Sequence, residues 1–497
     1  MDLLPLRAAA GRGSVDGIPA PALVSAGFTL LQRCAPLVRA LAGRRSGILL
    51  PSSPQFLLAL AASDGRGAVL INPLASGAEV AHQLRDANVG AVFTVRALEG
   101  KLPAEMPRVL LDDAPRAAGF VAPDRGPVDV DLGSHFGLDL EGDAEATGRD
   151  EECAVVYTSA MAGTPLGAVL THRNLITNAR QTVQAAENEP DDHLLAVLPF
   201  SHLFGLTVSL IAPMMVGARV TTMPRFNPIA AVDLIEREGI TEIVGVPAVF
   251  AGLLAAIARR GGTLNAPALR LCICGGAPLD VALQEQWEDV TGVPLRQGYG
   301  LTEASPVALF NRVNADNVNG TLGLPFPGVQ VSIRDPESGA ELPPGTLGEI
   351  CVAGDTVFRG YVSELPAANE FLVTPAAASA AQERARSAGL RTRDGWLHTG
   401  DRGLLRADGR VEFHGLIKPM FTRNGFNIYP RELELALERM PGVRNARVSA
   451  IPEPAREHDI AVAVTRDGSR DLSEADVKDW CERQLAQYKQ PSRIEIA

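Results

Sequence analysis

Short apolar runs that alternate with helical stretches are the feature that most limits what this chain can become. SGILLPSS, GAVLINP, VGAVFTV and ECAVVYTS read as apolar strand-like runs, while PQFLLALAASD and AEVAHQLRDAN between them read as helical stretches. Strands buried on both faces read in this way, so the first part of the chain is expected to be α/β with largely buried strands. The alternation continues through RVTTMP, ITEIVGVP and LRLCICGG, separated by helical segments around IAAVDLIEREG and AVFAGLLAAIARRG.

Length adds a second limit. A single core rarely grows past roughly 250 to 300 residues, so a chain of 497 residues is expected to divide. The texture changes near Gly320, where GVQVSIRD, GEICVAG and GRVEFHG are short alternating segments with glycine and proline between them, which predicts a β-rich subdomain. PAAASAAQERARSAG, Pro375 to Gly389, has the composition of an exposed helical insertion. After Gly415 the pattern resets. IYPRELELALERM predicts a helix entered through a proline, VRNARVSAI a strand, SEADVKDWCERQLAQY a helix capped by Ser473, and SRIEIA a last strand. The expected organisation is a large multilayer domain over 1–414 and a small, mobile α+β domain over 415–497 that looks cut short.

Charge and cysteine content exclude several classes. A net charge of -12 with no clustered basic surface argues against nucleic-acid binding. No apolar run approaches the roughly 20 residues that span a bilayer, and the N-terminus lacks a secretory core, so a cytoplasmic location is expected. The six cysteines form no CxxC pair and have no histidine at zinc spacing, and they read as buried thiols. Lysine is scarce: it occurs only as Lys101, Lys418, Lys478 and Lys489.

The stretch YTSAMAGTPLGAVLTHRN, Tyr157 to Asn174, has the punctuation of a phosphate-holding loop, with hydroxyls at Thr158 and Ser159 and glycines at Gly163 and Gly167. Such a loop works through converging backbone amides, hydroxyl donors and a cation. Alone it is equally a glycine-containing turn whose THRN caps the next helix. Its companions bear on the choice. RQGYGLTEASPV packs an aromatic ring, two glycines, a hydroxyl and a carboxylate together, HTGDRG puts Asp401 in a turn, LPFSHLFGL opens an apolar helix with His202 near its start, and CICGGAPLD ends a buried strand in glycines. Taken singly, Thr302 and Glu303 also fit a helix cap with a first-turn acid, Asp401 a turn residue, and His202 a hydrogen-bonded core histidine.

In this order, these motifs, together with GLPFPG, GEICVAG, GWLHTGD and NGFNIYPRELE, resemble the adenylate-forming superfamily: acyl-CoA and aryl-CoA ligases, luciferases and peptide-synthetase adenylation domains. The resemblance runs from about Gly47 to the end. It implies ATP-dependent activation of a carboxylic acid as an acyl adenylate, followed by thioester formation with coenzyme A or another thiol. It places Thr158, Ser159 and Gly163 on the terminal phosphates, Thr302 on the α-phosphate, and Glu303, with Thr158, at magnesium. It also implies that Tyr299 and the following Gly300 lie at adenine, that Gly275, Gly276 and Ala277 form the pocket edge, that Asp401 takes the ribose, that His202 stands between acyl pocket and thiol entrance, and that Lys418 sits at the hinge. Fatty-acid-type ligases are the expected group, because the amino-group-holding aspartate of peptide-synthetase domains has no counterpart near LPFSHLFG and the helix there is greasy.

The pattern also breaks. Ala160, Met161, Ala162 and Leu166 stand where the family loop has a glycine, two hydroxyls and a lysine. Charge-assisted hydrogen bonds contribute roughly 1.5 to 3 kcal/mol each, so weaker triphosphate binding is expected. Leu416 replaces the hinge arginine, and Pro419 pushes Lys418 toward extended geometry, which is expected to bias the rotation between lobes. The catalytic lysine that the family places shortly after a segment like Tyr488–Pro491 has no counterpart before Ala497, and one lost preorganised donor costs roughly 100 to 1000-fold. The rival expectation is a noncatalytic or half-active homologue that binds nucleotide or acyl groups.

Overall fold

The computed structural model describes residues 13–63, 67–111, 117–122, 126–131, 150–158, 165–362, 391–393, 395–417, 421–453 and 456–496. The expected helical insertion from Pro375 to Gly389 lies outside them, as do Ser159, Gly163 and Lys418.

The apolar runs form strands where the sequence predicts them. In one sheet Arg45–Leu49, Ala68–Leu70 and Val89–Thr94 run parallel, followed outward by Glu152–Thr158 and, antiparallel to it, Leu166–Thr171. In a second sheet His193–Ala196, Glu242–Gly245, Leu271–Cys274 and Leu295–Gly300 are parallel neighbours, and Val307–Phe310 turns back antiparallel against the last of them. Helices fill the space between the layers. Pro54–Ala62 is buried along its whole length, which explains why its sequence is apolar all round instead of amphipathic. Thr171 caps the His172–Ala186 helix in a reciprocal box with Asn174, as THRN predicts.

Past Gly320 a β-rich subdomain follows, with Gln330–Arg334, Gly348–Ala353 and Trp396–Leu405 in antiparallel order and Val411–Leu416 on the edge. The expected boundary at Gly415 falls inside that edge strand. A separate core, from Phe421 and Ile428 through Leu485 to Ile496, belongs to the small lobe. There the Pro430–Glu438 and Glu474–Gln484 helices pack against Val443–Glu453, Glu457–Arg466 and Arg493–Ile496, the second helix capped by Ser473.

The two lobes are joined by more than the chain. Lys489, 3% exposed, puts its ammonium 2.6 Å from Glu432 of its own lobe and 2.9 Å from Glu79 of the large lobe. Glu79 already completes the capping box of Ser76, whose hydroxyl donates to the Gln484 carbonyl of the small lobe at 3.2 Å. No helix among the described residues is long and apolar enough to cross a membrane.

Candidate active site

Parallel strands expose backbone groups at their carboxyl ends, and a cleft forms where neighbouring connections diverge. Cys274 ends such a strand and passes into Gly275 and Gly276. A Cβ at Gly275 would lie 3.0 Å from the Gly298 carbonyl and 3.1 Å from the Phe204 ring, so the edge is closed to side chains. Gly276 takes φ +77°, a conformation that favours glycine, and leaves its surface open with half-buried Ala277 beside it.

The next strand ends in Tyr299 and Gly300, followed by a tight turn, Thr302–Ala304, that carries Thr302 half-buried and Glu303 buried. Tyr299 donates its hydroxyl to Asp401 Oδ2 at 2.6 Å, joining a residue of the parallel sheet to one of the β-rich subdomain. Burial, which the Tyr299 hydrogen bond partly offsets, pushes the Asp401 carboxyl up to about 7. The Glu303 carboxyl is likewise raised by burial and accepts from the Tyr361 hydroxyl at 2.7 Å.

Asp401 is held by a network that residue spacing does not reveal. Glu349 accepts from the Gly400 N–H at 2.9 Å and lies 2.8 Å from His398 Nδ1, and Thr399 donates to the Ile350 carbonyl at 2.7 Å. Cys351 approaches the same ring nitrogen at 3.5 Å. Glu349, Cys351 and His398 thus cluster within ligand range of one another. Burial pushes the Cys351 thiol up to about 12, and the two Glu349 oxygens are engaged by His398 and by the Gly400 N–H, so the trio forms a hydrogen-bonded support beneath Asp401. The sequence did hold a partial signal, because Glu349 and Cys351 are two apart and a strand puts such residues on one face. The pairing that brings His398 to them could not be read from spacing.

His202 sits at the mouth of an eight-residue π-helical stretch, Phe204–Ile211, that continues into Ala212–Val216. Its side chain is accessible, yet the protein around it holds its pKa below the ordinary histidine value. The Phe204 N–H donates to Nδ1 at 3.3 Å, which assigns the proton of the neutral ring to Nε2.

Thr158 ends its strand half-buried, its hydroxyl 3.5 Å from the Leu166 carbonyl. Leu166 pairs with Thr158 across the sheet, 6% exposed, and its side chain belongs to the main core. The described lysines lie elsewhere: Lys101 donates to the Pro73 and Ala75 carbonyls, Lys489 bridges the lobes, and Lys478 is exposed on the last helix. The small lobe reaches the cleft through Gly425, φ +74°, where a Cβ would stand 2.6 Å from Val246, the residue that also flanks Gly276. The structure therefore gathers Gly275, Gly276, Tyr299, Gly300, Thr302, Glu303 and Asp401 around the carboxyl ends of two adjacent parallel strands. Sequence reasoning missed Tyr361, Glu349, His398 and the Lys489 bridge.

A large lobe of stacked sheets, a small α+β lobe closing on it, and this set of residues at the strand ends define an adenylate-forming enzyme. Residues 37–362 match the AMP-binding enzyme family and residues 432–497 its C-terminal domain, and the chain belongs to that family. It is 31% identical over 465 residues to a feruloyl-CoA synthase from Amycolatopsis sp, covering 91% of this chain and 85% of the relative. It is 27% identical over 483 residues to a long-chain-fatty-acid–CoA ligase from Bacillus subtilis (strain 168), covering 91% and 82%. The solved ATP-bound MatB from Rhodopseudomonas palustris superposes with a TM-score of 0.66 at 26% identity over 98% of this chain and 92% of that one. The amide bond synthetase McbA from Marinactinospora thermotolerans shares the fold, with a TM-score of 0.78 at 22% identity over 99% and 95% of the two chains.

Proposed function

We propose that this protein activates a hydrophobic carboxylic acid, fatty or aryl, with ATP and passes the acyl group to coenzyme A, with adenylation the slower half-reaction. The observation that carries the reading is the Tyr299–Asp401 hydrogen bond beside the bare Gly275–Gly276 edge. It builds a flat aromatic wall, a backbone edge and a carboxylate into one cleft, which is what adenine and a ribose diol require. The feruloyl and long-chain relatives share the reaction class and differ in the acid, and the apolar helix behind His202 supports a greasy pocket for either.

In this reading the acid's oxygen attacks the α-phosphorus, the bond to the β-phosphate breaks, and pyrophosphate leaves. The thiol then loses its proton to solvent, its sulfur attacks the acyl carbon, and the acyl–phosphate bond breaks as AMP departs. Thr302 donates to the α-phosphate. His202, neutral and with Nδ1 already accepting from Phe204, presents an Nε2–H that orients an acyl oxygen and is not placed to take the thiol proton. The Glu303 carboxylate and the Thr158 hydroxyl would supply oxygen donors only, which suits magnesium. Bound there, the ion would offset charge on the phosphates. Ser159 and Gly163 belong to the phosphate-binding side of this proposal, and Lys418 to its hinge.

Asp401 gives the site a pH signature. Its carboxyl must be ionised to accept both ribose hydroxyls, and it titrates at about 7. AMP affinity is therefore expected to rise with pH through neutrality and then level off, and Asp401→Asn should bind weakly with no such slope, as isothermal titration at a series of pH values would show. Stability runs the other way. A carboxyl raised in the folded state favours folding below its unfolded value, and that contribution is lost as pH climbs through about 7.

A second reading, a half-active homologue, draws on Leu166, a buried apolar side chain in the strand where the family carries its cation. One pair of assays separates the two. Pyrophosphate exchange with fatty and aryl acids is expected to be weak but acid-dependent, and thioester formation from supplied acyl adenylate readily detectable. Loss of both would leave only binding, while fast exchange would show that the altered loop does not limit adenylation.

A further inference from the structure

The segment that closes over Glu303 is tied down at both ends. Asn174 donates its side-chain amide to the Asp355 and Val357 carbonyls at 2.7 and 2.9 Å, and Ser305 donates its hydroxyl to the Thr356 carbonyl at 2.7 Å. The Phe358 N–H donates to the Glu303 carbonyl at 2.9 Å. Beyond it, Gly360–Tyr361 pairs antiparallel with Leu166–Thr171, with Tyr361 opposite Ala168, and the Val362 N–H donates to the Gly167 carbonyl at 2.8 Å. Tyr361 is 1% exposed, its ring edge-on to Phe358 at 4.9 Å, and its hydroxyl donates to Glu303 Oε1 at 2.7 Å. A phenol is not needed to fill this space, since phenylalanine has the same ring. The hydroxyl has a carboxylate as its partner, 58 residues away in sequence and in the turn between two strands of the other sheet.

We propose that Tyr361 is a positioning residue for Glu303: by engaging one carboxylate oxygen it sets the direction of the other toward a divalent cation, and it couples that carboxylate to the strand leaving the phosphate loop. The inference rests on the reading of Glu303 as the metal carboxylate. Where the loop has exchanged hydroxyls for Ala160, Met161 and Ala162, this link makes the aim of Glu303 weigh more on metal–nucleotide binding.

Manganese(II) serves as the probe, its free ion followed by electron paramagnetic resonance while full-length protein is titrated in the presence of ATP. Tyr361→Phe is expected to weaken manganese binding roughly tenfold, since a hydrogen bond to a charged group is lost, while the far-ultraviolet circular dichroism stays that of the folded protein. Glu303→Gln should weaken it further, and the double variant should bind no worse than Glu303→Gln alone. Unchanged affinity in Tyr361→Phe, or an equal penalty in both backgrounds, would overturn the positioning role. Wild-type affinity in Glu303→Gln would instead remove Glu303 from the metal, and this inference with it.

Discussion

Lys489→Met is expected to destabilise the protein by about 3 to 5 kcal/mol and to loosen the small lobe from the large one. The lysine stands between two carboxylates in a place closed to water, with Glu432 5% exposed and Lys489 itself 3% exposed. Its own pKa is raised well above the ordinary value by those two acids, against the opposing pull of burial. Remove the cation and Glu432 keeps its burial without its partner, so it gains a proton instead of staying charged. That supplies a sign test. A carboxyl raised in the folded variant favours folding only while protonated, so the deficit should be smaller in mild acid than at alkaline pH. Urea unfolding at two pH values would show it, and Lys489→Met combined with Glu432→Leu should recover part of the loss by removing the stranded charge. A single variant that unfolds at the wild-type urea concentration at both pH values would mean that this ion set contributes nothing.

Gly300→Ala should weaken AMP binding roughly 100-fold, the order of loss that follows when one or two hydrogen bonds to a charged ligand are broken. A Cβ there would stand 1.8 Å from the Pro306 carbonyl oxygen and 2.7 Å from its carbon, both backbone atoms that cannot swing aside. The two residues also share a hairpin: Gly300 pairs with Val307, and the Leu301 N–H donates to the same Pro306 carbonyl at 2.9 Å. Room for a methyl group can come only from spreading the strands, and the turn between them carries Thr302 and Glu303. The small lobe has its own core and should melt as before. Titration calorimetry with AMP reads the loss, and wild-type affinity would show that the turn tolerates the displacement.

Much of the fold was legible because local rules and tertiary packing agree. SGILLPSS, VGAVFTV and LRLCICGG hold strands buried on both faces, so the short apolar run at the centre of each is itself the signal, and Ser473 and Thr171 cap helices by chemistry that acts over three residues. The site was legible in its parts, because glycines, a carboxylate and a tyrosine crowded into GYGLTE stand out in sequence. What spacing withheld was contact between distant segments. Tyr361 meets Glu303 through sheet pairing set by Ala168, His398 meets Glu349 across two antiparallel strands, and Lys489 finds Glu79 from 410 residues away. Each is fixed by topology, which no local pattern encodes. The apolar helix after His202 was read as a helix, but its widened π geometry follows from packing and has no motif of its own.

All six cysteines, Cys34, Cys153, Cys272, Cys274, Cys351 and Cys481, are unpaired and buried. A maleimide dye offered to the folded protein has no native thiol within reach, so a cysteine placed on each lobe would be labelled alone. Fluorescence energy transfer between two such dyes then reads the separation of the lobes in the natural background, with no prior removal of core sulfur.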